Sequence, residues 1–249
     1  VLLQAEKNNT AVKMSPLGEA GILVSFGENI DPATHDKVHA FARYLEQNPF
    51  AGMLEYTEAF TSVTIYYDIL SLQNYKIEVV NQQQSYAFQA AEAILRNILP
   101  QVNFSGGSHL RTVRIPVCYG GELGPDLGEV AAFHRLSPQQ VIDIHTGGEY
   151  LVYMIGFAPG FPYVGGLSNK IATPRREMPR LAIPAGSVGI AGEQTGVYPL
   201  ETPGGWQLIG RTPLSLFNPQ AKLAPSLLQA GDRIEFYAIS RQEYEAYGK

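Results

Sequence analysis

Three arginines stand close together in the segment TPRREMPR and are candidates for holding an anion. Arg175, Arg176 and Arg180 lie in a stretch with two prolines, which interrupt a regular helix, so we predict a loop that displays several guanidinium groups. A planar guanidinium pairs well with a carboxylate or a phosphate. A solvated loop without a ligand is the alternative, and the sequence leaves both open.

Aromatic residues in two other segments could form the wall of a binding site. The segment GFAPGFPYVGG carries Phe157, Phe161 and Tyr163 on a backbone interrupted by prolines, which predicts an aromatic wall or, alternatively, a loop anchored by core aromatics. Trp206 follows two glycines that permit close approach of a ligand, and Arg211 lies a few residues further on. Together with the arginines, these segments predict a concave patch.

His145 is the histidine with the most interesting position. It falls at the end of the predicted helix SPQQVIDIHT, whose negative end favours an imidazolium that could bind an anion. A histidine that satisfies local carbonyls is the alternative, and it is the interpretation we favour. The other histidines are His35, His39, His109 and His134. They are not spaced as metal ligands, so we interpret them as solvated and propose no metal site.

The sequence does not assign a catalytic residue. It has no phosphate-binding loop motif, no dinucleotide-binding glycine motif and no H-E-x-x-H zinc motif. Ser187, in AGSVG, lies among predicted strands, so we interpret it as a small residue at a barrel corner rather than as a nucleophile. Cys118 follows an apolar run, which predicts a buried core thiol.

The first part of the chain predicts an α+β domain of the ferredoxin-like type. A helix begins with Asp31 as its N-cap and buries Val38, Phe41 and Leu45, and a second helix covers SYAFQAAEAILRNIL. The strand AGILVSFG precedes the first helix, and two more strands lie between the helices. The order of strand, helix, strand, strand, helix is typical of a ferredoxin-like unit.

A cluster of Pro, Gly and Ser near residue 100 predicts a linker, and we place the domains at residues 1–103 and 104–249. The second domain opens with a strand and two short helices, the later one starting with a capping box of Ser137 and Gln140. After His145 we expect no helix, only short strands separated by turns. This pattern is typical of a closed or nearly closed β-barrel.

Composition excludes several classes of partner. The net charge of −5 is small for 249 residues, and the basic residues are scattered, which argues against nucleic acid and against an anionic membrane surface. We find no secretory signal and no apolar run of bilayer length, and the single cysteine fits a reducing compartment. We therefore expect a cytoplasmic protein.

Several long segments resemble one known family over nearly the whole chain. They are GEAGILVSFG, IPVCYGGELGPDLGEVA, HTGGEYLVYMIGFAPGFPYVGGL, ATPRREMPRLAIPAGSVGIAGEQTGVYPLETPGGWQLIGRTP and LLQAGDRIEF. The segments resemble the family of the 5-oxoprolinase B subunit, also called allophanate hydrolase subunit 1 or carboxyltransferase subdomains C and D, which includes KipI, the Kip-type histidine kinase inhibitor. The resemblance implies a ferredoxin-like domain followed by a cyclophilin-like β-barrel, without prolyl isomerase activity.

The resemblance also implies a function. It implies one subunit of a bacterial ATP-dependent 5-oxoprolinase that converts 5-oxo-L-proline to L-glutamate with two partners, the A and C subunits, and that is inactive alone. The ATP site is then expected on a partner or shared with one. Two alternatives remain open: an inhibitor of histidine kinase autophosphorylation that docks through the loop of residues 157–163, and a component of an allophanate- or urea-metabolising complex.

For ligand contact we predict one groove in the second domain, in which arginines and a histidine hold an anionic group and aromatic rings flank it. Its residues are His145, Tyr153, Phe157, Pro159, Phe161, Arg175, Arg180, Gln194, Tyr198, Trp206 and Arg211.

Overall fold

The computed structural model describes residues 12–73, 75, 85–104 and 111–247. The chain divides into two compact units, Val1–His109 and Leu110–Lys249, and each is described by itself. The boundary predicted between residues 103 and 104 stays a prediction.

The first unit combines a four-stranded antiparallel sheet with helices. Its elements are β1 (Lys13–Pro16), β2 (Gly21–Ser25), α1 (Pro32–Gln47), β3 (Met53–Glu58), β4 (Ser62–Tyr67), α2 (Ile69–Leu72), α3 (Tyr86–Ile98) and a 3-10 turn at Leu99–Gln101. The strands lie in the order β1-β2-β4-β3. The predicted succession is present as β2-α1-β3-β4-α3. Among the described residues, the sheet edge beside β2 is formed by β1, which the sequence did not predict.

The predicted caps and buried faces of the helices are confirmed. The Asp31 side chain accepts a hydrogen bond from the Thr34 N–H at 2.9 Å and begins α1. Val38, Phe41 and Leu45 are fully buried against the sheet, as the helical spacing of apolar residues predicted.

The second unit is a β-barrel with short helices. Its elements are β5 (Thr112–Tyr119), a 3-10 turn at Gly121–Leu123, α4 (Leu127–Phe133), α5 (Pro138–Thr146), β6 (Tyr150–Ile155), β7 (Pro162–Gly165), β8 (Arg180–Ile183), β9 (Ser187–Ala191), β10 (Gln194–Val197), β11 (Thr202–Gly204), β12 (Gln207–Arg211), β13 (Arg233–Ala238) and α6 (Arg241–Ala246). Seven strands close in the order β10-β7-β6-β13-β5-β12-β9, which confirms the predicted barrel. Strands β8 and β11 form a separate pair.

Two short helices of the second unit can be compared with the predictions from the sequence. The capping box at Ser137 is confirmed, with the Ser137 N–H donating to the Gln140 side chain at 2.8 Å. The expectation of no helix after His145 is wrong, because α6 lies near the end of the chain. This helix buries no side chain and so has no apolar stripe to reveal it, although a capping box of Ser240 and Glu243 marks its start.

The interpretation of the remaining histidines as solvated is wrong for His35. Its side chain is 1% exposed on the inner face of α1, where burial and the nearby His39 lower its pKa to about 4. His39 itself lies 3.1 Å from a carboxylate oxygen of Glu58. His134 is half-buried, and His109 lies outside the described residues.

Candidate functional site

A cavity of about 350 Å³ opens on the second unit, in the size range of small-molecule sites. Half of its lining residues are aromatic, and one is charged. The lining residues are Phe157, Phe161, Tyr163, Arg175, Pro179, Tyr198, Pro203, Gly204, Gly205 and Trp206. They come from the β6–β7 loop, β7, the segment before β8, the loop after β10, and β11 with the residues that follow it.

Phe161 is the centre of the aromatic wall. Its ring meets those of Tyr163, Tyr198 and Trp206 edge-on, with centroid distances of 5.4, 5.5 and 5.8 Å. Edge-to-face pairs are favourable because the positive edge of one ring meets the negative face of the next. Phe161 is 3% exposed, so this network is a rigid wall rather than a set of mobile surface rings.

Phe157 stands out from the wall, with 69% of its surface exposed. Its φ angle of 68° lies in the left-handed region, which costs a residue other than glycine about 1–3 kcal/mol. The tight loop between β6 and β7 imposes this conformation, with the Gly156 N–H donating to the Phe161 carbonyl at 3.0 Å. A large apolar side chain is therefore held at the cavity in a strained conformation, as is common at ligand sites.

Arg175 is the one charged residue in the cavity wall. Its side chain is exposed, and no carboxylate within the described ranges forms an ion pair with it. Burial raises the pKa of Tyr198 to about 12, while the positive charge of Arg175 acts to lower it, so the guanidinium lies within electrostatic reach of this hydroxyl. The cavity thus offers an aromatic surface with a positive charge that no carboxylate of the described residues pairs with.

Arg180 does not line the cavity, contrary to our prediction. Its guanidinium donates to Asp126 at 2.6 Å, and Arg176 donates to the same carboxylate oxygen at 3.0 Å. Both arginines thus already have a buried carboxylate as partner. The three arginines of the predicted cluster therefore fall into two classes, and Arg175 remains as the candidate anion contact.

His145 does not line the cavity either, and its ring forms neither an anion-binding imidazolium nor the bonds to local carbonyls that we favoured. The residue is fully buried in the barrel core, where burial lowers its pKa to about 3. Thr195 donates to the Gly189 carbonyl at 3.1 Å, so its oxygen accepts from the Nε2–H of His145 at 2.9 Å. The Nδ1 atom then accepts from the Tyr119 hydroxyl at 2.8 Å. His145 is a neutral residue of the core.

The other predicted groove residues divide between the cavity and its surroundings. Phe157, Phe161, Arg175, Tyr198 and Trp206 line the cavity together. Tyr153 is buried on β6, Pro159 is exposed in the β6–β7 loop, and Gln194 and Arg211 are half-buried on β10 and β12. None of these four is among the lining residues.

Four lining residues were not predicted, namely Pro179, Pro203, Gly204 and Gly205. The double glycine is conspicuous in the sequence because glycine permits close approach of other atoms to the backbone. The structure identifies these atoms. A Cβ atom at Gly204 would lie 2.5 Å from the Tyr198 hydroxyl, whereas at Gly205 the nearest atom would be 3.5 Å away. Only the first glycine is required by packing.

Ser187 and Cys118 have the structural positions that the sequence indicated. Ser187 is the first residue of β9 and is fully buried, so the strand-to-helix turn of a nucleophile elbow is not formed there. Cys118 is 7% exposed on β5, and burial raises its pKa. A buried thiol with a raised pKa is a poor nucleophile.

The described part of the chain shows neither a metal-ligand cluster nor a membrane-spanning helix. No group of three or more His, Cys, Asp and Glu side chains in it lies close enough to hold a metal ion. None of its helices is both long and apolar enough to cross a bilayer.

Comparison with known proteins places the chain in a family. The family model of the carboxyltransferase domain, subdomains C and D, matches residues 12–228. The chain is 51% identical to the B subunit of 5-oxoprolinase from Bacillus subtilis (strain 168), over 94% of this chain and 96% of that protein. It is 40% identical to the protein of the same name from Escherichia coli O157:H7, over 88% and 93%. The chain belongs to the family of 5-oxoprolinase B subunits.

Solved structures support the fold. A conserved uncharacterized protein from Pyrococcus horikoshii is 40% identical and superposes with a TM-score of 0.52, over 93% of this chain and 100% of that one. The urea amidolyase of K. lactis superposes with a TM-score of 0.74, over 98% of this chain and 16% of that one, at 19% identity. The latter likeness concerns the fold alone.

We predict that acid weakens the barrel through His145. The unfolded state takes up a proton near pH 6.5, but the folded state does so only near pH 3, so stability is full above pH 6.5 and is lost as the pH falls toward 3. Through this group, the free energy of unfolding falls by up to about 1.4 kcal/mol per pH unit. Urea unfolding followed by Trp206 fluorescence at pH 7, 6, 5 and 4 measures it. His145→Gln should flatten this dependence, and an unchanged slope would contradict the assignment.

We predict that the two glycines of the cavity differ in their tolerance of alanine. Gly204→Ala forces a methyl group against the buried Tyr198 ring and should destabilise the second unit by about 1–3 kcal/mol. Gly205→Ala, the matched control, should change stability by less than about 0.5 kcal/mol. Thermal and urea unfolding measure both variants, and equal effects would show that the cavity wall is not packed as described.

Proposed function

We propose that this chain is the B subunit of an ATP-dependent 5-oxoprolinase, which converts 5-oxo-L-proline to L-glutamate together with the A and C subunits. The proposal rests above all on the guanidinium of Arg175, which has no ion-pair partner among the described residues, in a cavity with five aromatic side chains. The proposed substrate is a five-membered lactam ring with one carboxylate. Aromatic faces suit the ring, and an arginine suits the carboxylate. Kinship with B subunits of 5-oxoprolinase supports the same conclusion.

Opening the lactam requires water to add to the carbonyl carbon and the C–N bond to break, at the expense of ATP. The described lining residues include no Asp, Glu, His, Cys or Ser that could act as a general base or a nucleophile. We therefore assign this subunit the binding and orientation of the substrate. The proposal places catalysis and ATP on the partner subunits or at a site shared with them, and places the complex in the cytoplasm.

A reconstitution experiment tests the function. We expect 5-oxoproline-dependent ATP hydrolysis and glutamate release only when this chain is mixed with the A and C subunits. The chain alone, and the partners without it, should be inactive. Activity without this chain would remove it from the enzyme. Inactivity of every mixture, together with inhibition of a sensor histidine kinase by the purified chain, would favour the kinase inhibitor instead.

A substitution tests the site. Arg175→Gln removes the charged donor from the cavity, and the lost charge-assisted hydrogen bond should raise the KM for 5-oxo-L-proline about 10- to 100-fold in the reconstituted complex. Arg241→Gln is the control, since Arg241 pairs with Glu245 on the surface helix α6. It should leave KM unchanged. A KM for Arg175→Gln equal to that of the wild type would contradict the role of the cavity.

A further inference from the structure

Asp126 has a different set of contacts from the one its place in the sequence suggests. It stands at the N-cap position of α4, but its side chain makes no capping hydrogen bond there. The carboxylate is 2% exposed and instead accepts hydrogen bonds from residues far away in the chain. A buried carboxylate is costly unless it is fully paired, so a set of distant partners indicates a specific task.

One oxygen of Asp126 holds the loop of residues 174–180, which we call the arginine loop. Oδ1 accepts from Arg176 at 3.0 Å and from Arg180 at 2.6 Å, and these two side chains are 31% and 25% exposed. The two guanidinium groups share the single negative charge of Asp126 and remain partly exposed. Arg175, which precedes them in the sequence but has no carboxylate partner in the described ranges, stays at the cavity.

The other oxygen of Asp126 holds β12, the strand that follows the wall residue Trp206. Oδ2 accepts from the Leu208 N–H at 2.6 Å, and the Asp126 N–H donates to the Leu208 carbonyl at 2.9 Å. Leu208 lies two residues after Trp206, whose carbonyl lies 3.5 Å from the Arg180 guanidinium. A single carboxylate thus connects the arginine loop to the strand that follows the wall tryptophan.

We propose that Asp126 is a positioning residue for substrate binding: it fixes the arginine loop against β12 and leaves Arg175 alone to hold the substrate carboxylate. The inference rests on the proposed function of the cavity. It also explains why a cluster of three arginines suits a substrate with a single carboxylate, since Arg176 and Arg180 already pair with carboxylates of the chain, both with Asp126 and Arg176 also with Glu129 at 3.5 Å. Asp126 acts through Arg175 and touches no substrate itself.

The test substitutes Asp126→Asn in the full chain. The amide oxygen keeps an acceptor for Leu208 but removes the negative charge that the two guanidinium groups share. In the reconstituted complex we expect the KM for 5-oxo-L-proline to rise about tenfold and kcat to stay within about threefold, because Arg175 binds the substrate carboxylate equally in the ground and transition states. Glu129→Gln is the matched control, since this exposed carboxylate also lies 3.5 Å from Arg176. It should change neither constant.

Intrinsic fluorescence gives a readout that does not depend on activity. Trp206 is the only tryptophan in the chain and is 6% exposed in the cavity wall. Loosening of the wall in Asp126→Asn should raise the acrylamide quenching constant of Trp206 about twofold, and Glu129→Gln should leave it unchanged. A quenching constant equal to that of the wild type would overturn the inference even if 5-oxo-L-proline proved not to be the substrate.

A double-mutant cycle separates positioning from general destabilisation. If Asp126 acts through Arg175, Asp126→Asn should raise KM by less than about twofold in the Arg175→Gln background. Independent effects, in which the two KM increases multiply, would overturn the inference.

If Asp126→Asn fails to fold, Arg180→Gln replaces it in the same experiments. Arg180→Gln should raise KM by a smaller factor, and it should have no effect on KM when Arg175→Gln is also present. A wild-type complex inactive on 5-oxo-L-proline would refute the proposed function, and the quenching result would then decide the role of Asp126.

Discussion

The hydrogen bonds of the buried Asp126 carboxylate hold together the two irregular segments that form the cavity. The arginine loop contains two prolines and the segment before β12 contains two glycines, so neither can be fixed by regular backbone pairing along its whole length. Single hydrogen bonds join them, since the Arg176 N–H donates to the Gly205 carbonyl at 2.7 Å and the Gln207 side chain donates to the Pro174 carbonyl at 3.0 Å. Asp126 adds a charged acceptor with three donors. Its cost is low here because every bond is charge-assisted. The position of Arg175, and with it the chemistry of the cavity, follows from this arrangement.

The barrel beneath the cavity is stabilised in a more ordinary way, by apolar packing around a neutral histidine. His145 fills space between Tyr150 and Phe236, with ring centroids 5.4 and 4.6 Å away, and its two nitrogens are satisfied by hydroxyl groups. Such a histidine specifies the core without carrying charge at neutral pH. These two polar groups of the unit therefore differ in charge: His145 is uncharged inside the barrel, and Asp126 is ionic beside the cavity.

Sequence patterns predicted the features that depend on neighbours along the chain. The cap at Asp31, the capping box at Ser137 and the closed barrel are all confirmed, because short-range hydrogen bonds and strand periodicity are visible in the sequence. The aromatic wall was also identified, since bulky rings beside prolines and glycines stand out. The long, specific motifs were sufficient to indicate the family.

By contrast, the errors at the candidate site concern partners that lie far apart in the chain. Asp126 is 50 residues from Arg176, and His145 is 50 residues from Thr195, so no local pattern reveals either contact. Tertiary burial paired Arg180 with a carboxylate and kept His145 neutral, which reversed both assignments.

In the proposed function, the aromatic cavity and Arg175 together bind a ring that bears a carboxylate. Titration of the full chain with 5-oxo-L-proline, followed by Trp206 fluorescence, measures it directly, with 2-pyrrolidone as the matching ring without a carboxylate. We predict a saturable change with 5-oxo-L-proline and at least about tenfold weaker binding of 2-pyrrolidone, because the charge-assisted bond is lost. Equal responses to the two rings, or no response at concentrations that saturate the activity of the complex, would contradict this role of the cavity.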